Sequence, residues 1–527
     1  MKTTQLDLLL VNAPSRKAVY GKKIADELAA IEPPVWAGLI AAHCMKQGFS
    51  VEILDAEARG ISVETTANHI IGVNPRLAAF CVYGQQPSAS TQCLPGTSAV
   101  ARLVNQKIAS QRGPHPVRVP TLALGTHPSA MPLRTLLEEP FDYVCQGEGP
   151  ATIVGLLNAF KSGSLDYGTL DAPGLWGRAG SKVVPWEAPG SNITDLDCEL
   201  PRQAWELLDL TKYRAHNWHL WTGDPLGGYA SVQTSLGCPF RCTFCCINAP
   251  FGNAGIRHWS PANVVAQISE LVYTYGITNI KIPDEMFVLD RRHVIEICGR
   301  LISSGISGLL NLWAYARVDT LKDEYMLELM RAAGFRWLGI GIESGSQHVR
   351  EGSAKGKFTE DGIYLTVERV RAHDICVGAN YIFGLPDDTV GSMEATLCLA
   401  KALNTEWANF YCAMAYPGSK LHEIAASKGW RLPEDEGGPG WIGYSQHAYE
   451  TLPLPTETLT AAGVLAFRDL AFLDYFGDDP YQRMVNKKFG VKALAEVRRM
   501  VAMGSPKRAL LEKGSMVAME KSQEGKA

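Results

Sequence analysis

Four cysteines fall within nine residues of one stretch, GCPFRCTFCC, and three of them, Cys238, Cys242 and Cys245, are spaced C-x3-C-x2-C. Three thiolates from one short loop can each take one iron of a cubic [4Fe–4S] cluster. The fourth iron then has no cysteine and stays open to a substrate or cofactor, which is a catalytic arrangement. A structural zinc would need a fourth ligand and usually shows C-x2-C pairs. Cys246 and His258 are available for that role, so zinc remains an alternative. Inert buried cysteines would not gather in a turn between Gly237 and Pro239. The other cysteines, such as Cys44, Cys81, Cys298, Cys376 and Cys412, sit singly in apolar segments. They read as small core residues in a reducing compartment, where disulfides are rare.

A second set of candidates lies in turns near the amino terminus. They are Asn12 and Pro14, Gly84, Gly125-Thr126-His127, and Gly147-Glu148-Gly149. Each set follows an apolar run, and glycine there lets backbone approach a ligand closely. One such loop is ordinary turn chemistry. Several on one edge point to a large flat or nucleotide-like ligand.

Two repeating patterns must position these residues. Residues 1–165 alternate strand and helix signals, with strands at 6–12, 51–55, 77–84, 121–125 and 143–149. Nearly continuous apolar strands imply a parallel sheet covered on both faces, a doubly wound, Rossmann-like α/β fold with its ligand at the strands' carboxyl ends. Residues 166–225 break the rhythm and read as a linker, with a short amphipathic helix over 200–220. Alternation restarts over 226–423, where six strand–helix units predict a partial (β/α)6 barrel of the TIM type. The cysteines directly follow its first strand, at the end where such barrels carry their chemistry. Residues 424–527 read as a helical region with a charged, disordered tail at 518–527.

The chain has 527 residues, 46% hydrophobic, with a net charge of −4, enough for two or three domains and giving no reason to expect nucleic acid. It contains no run of 18 apolar residues and no signal peptide pattern, so a cytoplasmic protein without a membrane span is expected.

The motifs LLVNAPS, PPVWAGLIAAHCMKQGFSVEILDAE, LALGTHPSAMP and FDYVCQGEGPATIVGLL resemble, in order, the cobalamin-binding domain that precedes many radical SAM domains. The cysteine triad, with Phe244 before its last member, then IPDEMFVLD, YARVDTL, LGIGIESGSQHV, NYIFGLPDDT and AYPGSKLHE, resembles the radical SAM superfamily through the whole barrel. The resemblance implies a [4Fe–4S] cluster, S-adenosylmethionine (SAM) and cobalamin as cofactors. It implies that Cys238, Cys242 and Cys245 hold the cluster and that Phe244, Asp284, Glu285, Arg317, Glu343 and Ser344 contact SAM. Of these, Asp284 and Glu285 would face the methionyl amine, Arg317 the carboxylate, and Glu343 and Ser344 the nucleoside hydroxyls. Gly384-Leu385-Pro386 would shape a loop against the adenine. The turn residues of the first domain would contact cobalamin, with His127 near its nucleotide tail. The Asp-x-His-x-x-Gly motif that supplies a lower cobalt ligand elsewhere is missing, as it commonly is in this family.

The activity implied is methylation of an unactivated carbon. A 5′-deoxyadenosyl radical removes hydrogen, and methylcobalamin supplies the methyl group. A radical is needed because such a C–H bond is too weakly acidic for a side-chain base, and no Ser-His-Asp or paired-carboxylate set replaces it. A small-molecule substrate of unknown class and an electron donor such as flavodoxin or ferredoxin complete the expectation. The main alternative is a radical cyclase, ring-contraction or rearrangement enzyme using the same cofactors. An RNA methylthiotransferase would carry a second cysteine set in the first domain, where Cys44, Cys81, Cys93 and Cys145 are dispersed. A cobalamin-binding sensor would not need the triad.

Overall fold

The computed structural model describes residues 5–84, 89–111, 118–163, 170–179, 182–185 and 192–512. The disordered tail expected at 518–527 lies outside them. In the first domain, β1 (Leu8–Asn12), β2 (Val51–Asp55), β3 (Leu77–Val82), β4 (Thr121–Gly125) and β5 (Tyr143–Cys145) are all parallel. The first four residues of β1 and all of β3 are buried, as a sheet covered on both faces requires. Two further strands, β6 (Leu175–Ala179) and β7 (Lys182–Pro185), extend the sheet antiparallel beyond β5. Sequence reading had placed them in the linker, because they are short and lie among glycines and prolines.

Strand order is β2-β1-β3-β4-β5-β6-β7. The chain steps outward from β1 to β2, then back across β1 to β3. The crevice between the carboxyl ends of β1 and β3 is therefore the topological switch point, where ligands of doubly wound sheets bind.

The linker holds no amphipathic helix over 200–220. It runs as three short 3-10 turns, Trp205–Leu207, Leu210–Lys212 and Asn217–Trp221. Its apolar residues pack one by one into different places: Trp205 is fully buried, and Trp218 packs on Trp313 and Trp337 beneath the second sheet.

That second sheet is six-stranded and wholly parallel. β8 (Tyr229–Ser231) is followed by a small antiparallel pair, β9 (Ser235–Leu236) and β10 (Arg257–His258). The sheet continues with β11 (Asn279–Ile282), β12 (Asn311–Arg317), β13 (Phe335–Glu343), β14 (Cys376–Phe383) and β15 (Trp407–Cys412). The strands lie side by side in chain order and curl into an open half-barrel. Capped helices separate them. Ser260 accepts the Asn263 N–H and Pro261 opens the helix Pro261–Tyr275, as the sequence pattern requires.

Residues 424–512 are only partly helical. Helices Ala461–Gly477 and Asp479–Ala502 form, the second broken at Gly490, where φ is +85°. Residues 428–460 contain a glycine- and proline-rich stretch, and their one helical element is the 3-10 helix Trp441–Tyr444. No helix among the described residues is long and apolar enough to cross a membrane.

Candidate active site

The cysteine loop leaves β9 through Gly237, which adopts φ +88°. A Cβ there would lie 2.6 Å from the Gly255 carbonyl oxygen, so glycine is required one residue before Cys238. The loop is tied down on several sides. Asn248 Nδ2 and the Gly255 N–H both donate to the Cys238 carbonyl, at 3.1 and 3.2 Å. The Thr243 N–H donates to Ser353 O at 3.0 Å, and the Leu421 N–H to Thr243 O at 2.7 Å. Cys238 is buried, Cys242 half-buried and Cys245 exposed. Burial pushes the Cys238 thiol up to about 11. Among the described residues no three His, Cys, Asp or Glu side chains are gathered around one metal-ion position, the cysteine triad included. Cysteines that each serve a different iron need not converge. Cys246 is buried close to Gly418 and packs as a small core residue. Phe244 packs on the Val349 and Leu385 cluster.

The two adjacent carboxyl groups after β11 have different environments. Asp284 accepts from the Thr234 N–H at 2.8 Å and from the Thr234 and Ser235 hydroxyls at 2.6 Å each. Both of its oxygens are thus engaged in holding the strand end that leads to the cysteines. Burial pushes it up to about 6 despite these donors. Glu285 is different: Oε2 is buried with no partner, and burial pushes the carboxyl up to about 8. An unpartnered buried carboxyl oxygen facing a cleft fits a cationic ligand group.

Arg317 ends β12 and turns toward Cys242. Glu343 ends β13 with φ +69° and pairs with Lys355 at 2.7 Å. Ser344 shares a hydrogen bond with Thr396 at 3.2 Å and accepts the Ser346 N–H. At Gly384, φ is +79° and a Cβ would lie 2.5 Å from Val464, so the helix Ala461–Gly477 closes on the turn expected near adenine.

Between the domains lies a cleft that is partly open to solvent. Asn12 and Gly84 line it from the switch point, and Ser231, Gln233 and Glu285 from the half-barrel. Trp36 and Tyr83, stacked at 5.2 Å and 8°, give it a flat wall. The Tyr83 hydroxyl is buried without a partner. A broad, flat-walled cleft at the switch point fits a corrin ring.

The other turn residues of the first domain lie off this cleft. Pro14 packs its carbonyl 2.8 Å from where a Gly96 Cβ would stand. Gly125, with φ +141°, crosses β3 so closely that a Cβ would meet the Val82 carbonyl at 2.2 Å. Thr126 Oγ1 and His127 Nε2 are both buried without partners. Burial lowers the His127 ring to about 3, and Trp441 lies edge-on to it at 4.5 Å. Gly147 bonds Ser129, and Gly149 caps the helix Pro150–Ser162. Glu148 is committed elsewhere than expected: it pairs with Arg257 at 2.6 Å and accepts the Ile193 N–H at 2.7 Å. It therefore joins the two domains rather than facing the cleft.

Sequence reasoning missed a second bridge. Glu32 accepts from Lys281 at 3.1 Å, from Tyr229 at 2.7 Å and from Ser231 at 3.0 Å. Burial works to raise its pKa, but Lys281 and these donors prevail and hold the carboxyl below its ordinary range. The signal was a lone lysine in the apolar strand TNIKI. Its partner lies 249 residues away, so pattern alone could not supply it.

A family model described as the B12 binding domain matches residues 21–157, and the Radical SAM superfamily model matches residues 232–400. An uncharacterized methyltransferase of Pyrococcus horikoshii is 29% identical over 426 residues, covering 80% of this chain and 83% of that protein. An anaerobic magnesium-protoporphyrin IX monomethyl ester cyclase of Cereibacter sphaeroides is 25% identical over 401 residues, 75% of this chain and 61% of that one. Among solved structures, the radical SAM methyltransferase TsrM of Kitasatospora setae, with cobalamin and a [4Fe–4S] cluster bound, superposes with a TM-score of 0.66. It shares 16% identity and the match covers 95% of this chain and 100% of that one, so it attests the fold. This chain thus carries a B12-binding domain followed by a radical SAM domain, the domain pair that works with a [4Fe–4S] cluster, SAM and cobalamin.

Proposed function

We propose that the enzyme methylates an unactivated carbon of a small molecule. The observation that carries this reading is the cleft itself. One wall is the switch point of the B12-binding domain and the other is the mouth of the half-barrel. A methyl donor and a radical source held on opposite walls would share one substrate carbon between them. The bound cofactors supply the radical and the methyl group. The chain's residues orient and enclose. Cys238, Cys242 and Cys245 hold the cluster. Glu285 receives the methionyl ammonium, and Asp284 fixes the strand end beside it. Glu343 and Ser344 face the nucleoside from the end of β13. Asn12, Gly84 and the Trp36–Tyr83 wall bound the corrin, and the unpartnered atoms of Thr126 and His127 serve its nucleotide tail. Two interdomain bridges, Glu32–Lys281 and Glu148–Arg257, hold the walls at a set spacing and help to exclude water.

A low-potential donor such as flavodoxin or ferredoxin in the cytoplasm would reduce the cluster. The test is anaerobic turnover of the holoenzyme with SAM labelled in its methyl group and a small-molecule extract. The expected result is 5′-deoxyadenosine together with a product carrying the label. The 25%-identical cyclase keeps one other reading in view, radical cyclisation. Deoxyadenosine formed with an unlabelled, rearranged product would establish that reading and end the first.

A further inference from the structure

Arg317 is placed by the resemblance against the SAM carboxylate, but its guanidinium faces the cysteine loop. The side chain is 4% exposed, and each edge of its fork is engaged. Nη1 donates to Cys242 Sγ at 3.6 Å. Nε and Nη2 donate to the two oxygens of Asp319, at 2.9 and 3.1 Å. Nη2 also donates to the Lys355 carbonyl. The guanidinium carbon lies 3.9 Å from the ring centroid of Phe240, inside the loop between Cys238 and Cys242. Carboxylate and carbonyl take the N–H groups of Nε and Nη2 and leave Nη1 to donate to the sulfur.

We infer that Arg317 is a positioning residue that raises the reduction potential of the cluster through its hydrogen bond to Cys242, and that Asp319 sets how much positive charge the cluster feels. Adding an electron to a cluster places negative charge partly on its sulfur ligands. A donor to one of those sulfurs stabilises the reduced form more than the oxidised form. Burial keeps the interaction from being screened. Asp319 cancels the formal charge of Arg317 while leaving the sulfur-directed N–H in place, so bond and charge can be separated by mutation. The inference rests on the cluster reading and is independent of methyl transfer.

The test is a redox titration of anaerobically reconstituted protein, without SAM, cobalamin or substrate. The reduced cluster is followed by electron paramagnetic resonance and iron is counted in parallel. Arg317→Met should make the cluster about tenfold harder to reduce, a shift of about 59 mV downward for one electron. Arg317→Lys, which keeps the charge without the fork, should fall between that variant and the wild type. Asp319→Asn should shift the potential upward. Wild-type potentials in all three variants at full iron content would overturn the inference. If Arg317→Met fails to hold iron, Asp319→Asn decides: an upward shift supports the assignment and an unchanged potential overturns it. Failure to methylate any substrate has no bearing, because none is present in the titration.

Discussion

The two domains that meet at the cleft arrange their functional groups by opposite means. The half-barrel wall concentrates its chemistry. Three cysteines in eight residues and an arginine on sulfur gather within one loop and the strand end beside it, and of this group the unpartnered Glu285 next to them lines the cleft. The wall of the first domain disperses it. It supplies Asn12, Gly84 and the stacked Trp36–Tyr83 pair with its unpartnered hydroxyl, while Thr126 and His127 lie off the cleft and Glu148 is committed to Arg257. Metal–thiolate bonds are strong and few, so they can come from one short segment. A large organic cofactor is held by shape and many weak contacts, which only a folded edge can provide.

That contrast can be broken most sharply at the cysteines. Cys238→Ala, Cys242→Ala and Cys245→Ala should each remove essentially all iron and all deoxyadenosine formation, as read by iron analysis and chromatography. Asn12→Ala should leave iron content intact and weaken only cobalamin retention. Iron loss in the Asn12 variant would mean the walls are not independent.

The next effect concerns what joins the walls. Arg257→Met strands Glu148 in a buried position, and breaking such a pair costs about 3–5 kcal/mol. Urea unfolding of the cofactor-free protein measures it, and an unchanged midpoint would show that the bridge contributes nothing.

Glu285 gives the third effect. Its pKa of about 8 lies above the ordinary 4.5, so the folded protein binds a proton that the unfolded chain releases between those values. Stability from this group is therefore present below pH 4.5 and is lost as pH rises through about 8. An ammonium ligand captures the ionised form. SAM binding should then release a proton and tighten as pH rises toward 8. Glu285→Gln should weaken binding by about ten- to a hundredfold, the worth of a hydrogen bond to a charged group, and flatten the pH dependence. Calorimetry in buffers of different ionisation enthalpy checks both; an unaltered pH profile in the variant removes Glu285 from the SAM site.

The smallest effect tests the glycine edge. Gly125→Ala combines φ +141° with a contact 2.2 Å from the Val82 carbonyl. It should cost about 1–3 kcal/mol in unfolding experiments without touching iron content. A neutral outcome would show that β3 and β4 have room to part.

The legibility of each wall follows from the same contrast. The cysteine triad, the parallel strands of both sheets and the capped helices are local patterns, and each is read within a few to a dozen residues. The short antiparallel strands β6 and β7 escaped because strands of five and four residues carry little periodicity. The linker over 200–220 looked amphipathic because its apolar residues are many, yet each fills a different hole.

Charged side chains were the least legible. Asp284 and Glu285 are adjacent in sequence, but one spends both oxygens on Thr234 and Ser235 while the other faces the cleft. Arg317 carries the same five donors whether it meets a carboxylate or a sulfur. Residue types, spacings and strand order belong to the chain and follow from local propensity and burial. Which donor meets which acceptor depends on residues tens to hundreds of positions apart, as with Glu32 and Lys281, and is decided only when two domains close on a cleft that water leaves.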